Sequence, residues 1–268
     1  MSQTLQYSNG GPRFEGLSFL TTKSRALRGR ADITLFIPAQ ARTLRNVPLV
    51  MLLHGAHGSH WNWSITGGAH RTAQRLIDQG TIPPLVLAMP SDGLWGDGSG
   101  YLTHAEQDFE RWIVEDVPAG ARAAAACLSA DSPLFLCGLS MGGFGALRIG
   151  AKYPAGYRGL SAHSSITHFE QMKQFIEEAG RLGARAEDYS VLETMLRNRA
   201  ALPPMRFDCG VEDVLLEHNR QLHRDLEARG IAHRYEEFPG GHDWSYWTAH
   251  VEDSLRFFGD ILAAPKNL

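Results

Sequence analysis

The sequence predicts a single α/β domain over residues 1–268, with a mostly parallel central sheet, an antiparallel hairpin at its N-terminal end and helices on both faces. Three observations carry that expectation. Short apolar runs alternate with helical stretches from about residue 48 onward, the signature of βα units. Two β-rich segments precede them, joined by a basic Arg-Gly-Arg turn. The chain has 268 residues, 43% of them hydrophobic and 21% charged, which suits one large α/β domain with a sizeable core.

In chain order, the hairpin covers about 13–24 and 31–37 and ends near Pro38. Strand candidates follow at 48–53, 84–89, 133–137, 157–162, 205–209 and 233–238. Helices are expected at 68–79, 106–128, 142–152, 214–229 and 245–262. Pro118 should kink or split the second of these, because it removes an intrahelical hydrogen bond and clashes with the preceding turn. Residues 167–203 carry two helix-like patterns, around 169–179 and 188–199, with no strand between them. They read as a small helical insertion over the site, where insertions commonly shape a pocket.

The formal net charge is −3 with both signs interspersed, so neither a nucleic-acid nor a membrane-surface partner is expected. The polar start, 1–13, lacks an export pattern, and no window approaches the roughly 18 apolar residues of a membrane span. A soluble, cytoplasmic protein is the expectation, and the composition is compatible with a homo-oligomer. Cys127, Cys137 and Cys209 form no CxxC pair and read as core thiols.

The strongest chemical signal is Gly138-Leu-Ser140-Met-Gly142, entered from an apolar strand and followed by a small-residue helix. This is GxSxG in strand-turn-helix context. A serine on so sharp a turn has a strained backbone, and side chains two positions either side would collide, which glycine avoids. Its place at a helix N-terminus leaves free N–H groups beside it, so the Met141 amide is the natural first oxyanion donor.

A serine hydroxyl needs a base, and the base needs a group to orient it. Of the 12 histidines, His242 has the right setting, in a Gly-rich loop after the last strand candidate and before the C-terminal helix. For the acid, Asp213 follows a strand end and precedes Val214-Leu-Leu, giving the chain order Ser, Asp, His. Asp213 could instead be an N-cap, with Asp208 and Glu212 in reserve. The second oxyanion donor is expected in the loop His54-Gly55-Ala56-His57-Gly58, from the Ala56 amide.

On these segments the chain resembles the esterase D-like group of α/β-hydrolases, which includes S-formylglutathione hydrolases, tributyrin and acetyl esterases, feruloyl esterases and mycolyltransferases. The likeness runs from about residue 47 to 258 and rests on LLHGAHG with Asn62-Trp63, the Ala88-Met-Pro strand end, GLSMGGFGAL, CGVEDVLLEHNRQL and GGHDWSYW. It implies the α/β-hydrolase fold, a triad of Ser140, Asp213 and His242, and an oxyanion hole of Ala56 and Met141. The chain departs from the group in residues 91–104 and after Ser165, and it lacks the cysteine-containing oxyanion loop usual in S-formylglutathione hydrolases.

His57, Trp63, Trp95, His163 and Trp244 are candidates to line the substrate pocket. The cluster His54, His57, His60, His70 and His104 does not match HExxH or any acidic ligand spacing, so no metal and no cofactor are expected. The expected activity is a serine carboxylesterase acting on a small-molecule ester with a short acyl chain. Acetyl or feruloyl ester hydrolysis on carbohydrates, S-formylglutathione hydrolysis and acyl transfer stay open within enzymes, and an idle binding scaffold outside them.

Overall fold

The computed structural model describes residues 3–9, 14–92, 96–177 and 186–264. Its strands are β1 (Gln3–Asn9), β2 (Leu17–Ser24), β3 (Gly29–Phe36), β4 (Leu49–Leu53), β5 (Val86–Pro90), β6 (Leu134–Leu139), β7 (Gly159–His163), β8 (Met205–Gly210) and β9 (Arg234–Phe238). They form one sheet in the order β1-β2-β3-β5-β4-β6-β7-β8-β9. The run from β5 to β9 is parallel, and β1, β2 and β3 add antiparallel strands at one edge.

The predicted hairpin is therefore present, its first strand starting at Leu17. Arg13, where that strand was expected to begin, lies outside the described residues. β1 was not expected. Its polar composition hid it, since an edge strand facing solvent needs no apolar alternation. It is held by backbone pairing to β2, with the Tyr7 hydroxyl 3.2 Å from Ser18 Oγ.

The central strands are buried on both faces, which is why they read as continuous apolar runs. Leu49, Met51 and Leu53 of β4 enter one core with Val86, Ala88 and Leu136, while Val50 and Leu52 enter the other with Leu87, Phe135 and Cys137. α1 (Ala69–Asp78) and α7 (Trp244–Ala263) cover the second core. α3 (Val117–Ala124), α4 (Met141–Lys152), α5 (Val191–Arg197) and α6 (Leu216–Ala228) cover the first. All three cysteines are buried free thiols.

The helix expected over 106–128 is broken. A short α2 (Phe109–Arg111) opens into a π-turn, Trp112–Asp116, and α3 resumes with Pro118 in its first turn. The missing proline N–H falls where no intrahelical donor is needed. In the insertion, Phe169–Gln174 forms a tight 3₁₀ helix and α5 the second helical piece, with residues 178–185 outside the described chain. Asp188 ties this region to α4 through Lys152 at 3.0 Å.

Parallel strands place their C-terminal ends along one edge, and the loops leaving β4, β6, β7, β8 and β9 meet there. Among the described residues no helix is long and apolar enough to cross a membrane.

Candidate active site

Ser140 sits between β6 and α4 with φ 52° and ψ −117°, a sterically costly backbone for a residue with a Cβ. The turn survives because of what its neighbours lack. A Cβ on Gly138 would overlap the Gly142 carbonyl, and one on Gly142 would overlap the carbonyls of Leu53 and His54. The Ser140 amide donates to the His163 carbonyl at 2.9 Å, and its carbonyl accepts from Phe144 and Ile166, so both sides of the strained residue are held. Gly142→Ala is expected to push the elbow away from β4 and lower kcat/KM about 100-fold, since displacements of about 1 Å have that effect. Initial rates on p-nitrophenyl acetate, with circular dichroism to establish folding, test this.

Three side chains from three loops converge. His242 Nε2 lies 3.0 Å from Ser140 Oγ, and His242 Nδ1 lies 3.0 Å from each Asp213 carboxylate oxygen. Asp213 is buried, which alone would raise its carboxyl. The His242 hydrogen bond and charge, then the Leu215 amide at 2.8 Å and the Ser164 hydroxyl, outweigh burial and hold it below the usual carboxylate range. The Leu215 bond means that Asp213 also braces the turn leading into α6, but it is not that helix's N-cap, a place taken by Leu215 with no side chain capping the helix.

The reserve acids are elsewhere. Glu212 is exposed. Asp208 is fully buried against His163 at 2.9 Å and Arg206 at 2.8 Å. Asp243 caps α7, accepting from the amides of Ser245 at 2.8 Å and Tyr246 at 3.2 Å.

Ala56 and Met141 flank the serine, and among the described residues neither amide finds a protein acceptor. Ala56 lines a cavity of about 280 Å³ with Ser140, His242, Asn62, His57, Trp244 and Trp247. Of the pocket candidates, His57 and Trp244 thus border it. Trp63 does not. It is buried behind Trp244, edge to face at 5.6 Å, with its indole N–H on the Leu53 carbonyl at 3.0 Å. His163 does not either. It is wholly buried, with Nδ1 on Asp208 and Nε2 2.7 Å from Ser254 Oγ, because the last residue of β7 points into the layer beneath α7. Trp95 lies outside the described residues.

Two aromatic residues of the cavity were not among the expected pocket candidates. Phe175, from the insertion, stacks on the His242 ring with centroids 5.2 Å apart, and Trp247 meets the same ring edge-on at 5.1 Å. Trp247 had a signal in its closeness to His242 along the chain. Phe175 had none, since only folding brings the insertion over α7. Among the described residues there is no cluster of three His, Cys, Asp or Glu side chains able to hold a metal ion.

The family model described as "Putative esterase" matches residues 24–258. An acetyl esterase of Caldicellulosiruptor saccharolyticus is 27% identical over 236 residues, covering 81% of this chain and 85% of its own. Among solved structures, a ferulic acid esterase aligns with a TM-score of 0.79 at 22% identity, over 91% of this chain and 98% of its own. An S-formylglutathione hydrolase from Agrobacterium tumefaciens aligns with a TM-score of 0.78 at 20% identity, over 97% and 100% of the respective chains. These two structures share the α/β-hydrolase fold seen here.

Proposed function

The chain belongs to the Esterase family of the α/β-hydrolase superfamily and is a hydrolase of carboxylic esters, and we propose on that premise that it is a serine carboxylesterase for short-chain acyl esters, working through Ser140, His242 and Asp213. The observation that carries the reading is His242 bridging Ser140 Oγ and the Asp213 carboxylate at 3.0 Å on each side.

Asp213 accepts from Nδ1–H, which leaves the Nε2 lone pair facing the serine hydroxyl. As Ser140 Oγ bonds to the ester carbonyl carbon, its proton passes to Nε2 and the C=O π pair moves onto oxygen. The amides of Ala56 and Met141 stabilise that oxyanion. Collapse restores the carbonyl, the alkoxide leaves with the proton from Nε2, and Ser140 holds the acyl group. Water repeats the sequence and releases the acid.

A cavity of about 280 Å³, walled by Phe175, Trp244 and Trp247, is at the small end for ligand sites and favours a short acyl group. The acetyl esterase relative agrees with this. A serine-directed phosphonate is expected to add to Ser140, located by peptide mass spectrometry. With p-nitrophenyl esters from acetate to octanoate, kcat/KM should peak at four carbons or fewer. An adduct on another residue would sink the triad, and an octanoate optimum would sink the chain-length assignment.

A further inference from the structure

We propose that His54 is a positioning residue that aims the Ala56 amide at the oxyanion by pinning the carbonyl of the same peptide unit. The inference rests on the mechanism above and assigns a role to a histidine that mechanism does not use.

His54 is 1% exposed at the end of β4. Its Nε2 accepts from the Asp92 backbone amide at 3.0 Å. A backbone N–H only donates, so Nε2 carries the lone pair and the ring proton sits on Nδ1. The Asp92 carboxylate does not compete for Nε2. Its Oδ1 is 3.9 Å away, and its Oδ2 accepts from the Ser99 amide at 2.8 Å. Nδ1–H therefore donates to the Gly55 carbonyl, at 2.7 Å.

That carbonyl and the Ala56 N–H belong to one planar trans peptide and point in opposite directions. Holding the oxygen against the imidazole turns the N–H the other way, into the cavity that Ala56 shares with Ser140. The Gly58 amide reinforces the hold on the same oxygen at 3.2 Å. Behind the ring, the Tyr101 hydroxyl donates to the His54 carbonyl at 3.0 Å, which fixes the base of the loop. The loop also abuts the elbow, since a Cβ on Gly55 would lie 3.3 Å from Ser140 Cβ. A peptide fixed in this way needs no rotation when charge develops, which is the condition for strong oxyanion stabilisation.

The test compares an oxygen ester with its thionoester, because sulfur is a weak hydrogen-bond acceptor and its turnover depends less on the oxyanion donors. The ratio of the two kcat/KM values is independent of how much enzyme is active. His54→Phe removes the donor and is expected to lower oxygen-ester kcat about 10- to 100-fold, with KM within about threefold and the oxygen-to-sulfur ratio reduced about tenfold. His54→Asn, whose amide N–H reaches the Nδ1 position, should return the ratio to within about threefold of the unsubstituted enzyme. Should His54→Phe not fold, His54→Gln serves instead, since its amide reaches the Nε2 position and should give the lowered ratio.

An unchanged ratio in the donor-less variants, whatever their turnover, overturns the inference and leaves His54 a packing residue. Failure of the underlying mechanism is visible separately, as Ser140→Ala retaining turnover of both esters.

Discussion

Asp213→Asn is expected to lower kcat roughly 10,000-fold, and Ser140→Ala by at least as much, while substrate affinity changes little. The reason lies in one proton. Asp213 presents both carboxylate oxygens to His242 Nδ1 at 3.0 Å and takes a further bond from the Leu215 amide, so it only accepts. Asparagine can offer N–H instead, which favours the tautomer carrying its proton on Nε2. That tautomer cannot take a proton from Ser140. Ser140→Ala removes the atom that would carry the acyl group, leaving whatever acceleration the proposed oxyanion donors and binding supply. Steady-state rates normalised by active-site titration measure both. A loss below about tenfold for Asp213→Asn would mean that another group orients His242, and the structure offers none at hydrogen-bond distance from Nδ1 among the described residues.

Asp208→Ala is expected to cost about 3–5 kcal/mol of stability, the usual effect of removing one partner from a buried charge pair. Asp208 is fully buried and bonds His163 at 2.9 Å, Arg206 at 2.8 Å and the Tyr246 hydroxyl at 2.8 Å. Without it, His163 and Arg206 face each other beneath α7 with Glu236 as the remaining carboxylate on Arg206. In a domain somewhat larger than 250 residues, that loss corresponds to a fall in Tm of very roughly 10 °C.

The same cluster makes stability depend on pH in a defined direction. Burial would lower the His163 pKa, but the Asp208 charge and hydrogen bond overcome it and raise it from 6.5 to about 9. A histidine whose folded pKa lies above its unfolded one contributes fully below about pH 6.5, and the contribution disappears as pH rises through about 9. A rise of that size is worth roughly 3 kcal/mol. Asp208 acts oppositely. Its folded pKa is lowered from 3.8, so its contribution is present above about that pH and lost on acidification. Thermal melts between pH 6 and pH 10 should show Tm falling with pH, and His163→Gln should flatten that slope. An unchanged slope would mean that His163 is neutral in the folded protein.

How much of this was legible beforehand differs from element to element. The central parallel strands β4, β5 and β6 were readable because each is buried on both faces and apolar nearly throughout, whereas β9, a part-exposed edge strand reading Arg-Tyr-Glu-Glu-Phe, was legible only from its place after α6. The elbow was readable because a strained serine leaves a local mark, two glycines two positions away. β1 left none, since its stability comes from pairing along a solvent-facing edge. Phe175 was invisible for a different reason, since its stacking on His242 joins two segments far apart in the chain.

The pocket candidates divide along the same line. His57 sits on the loop after β4 and Trp244 opens α7 after the loop that follows β9, and their proximity to the serine follows from the order of the strands. Trp63, in the helical turn Asn62–Thr66, and His163, at the end of β7, turn inward instead, because their side-chain directions depend on packing that no local pattern records.

By itself, then, the sequence determined the α/β architecture, the serine on its sharp turn, and that an aspartate and a histidine follow later strand ends. Those properties are local, imposed by burial period and by the steric needs of a single turn. Tertiary structure alone decided that His242 stands 3.0 Å from both Ser140 and Asp213, that Asp208 serves the core, and that His54 grips the peptide bearing Ala56. Each is a contact between segments tens of residues apart or a choice of side-chain direction, and both are settled only when the two cores close around the sheet.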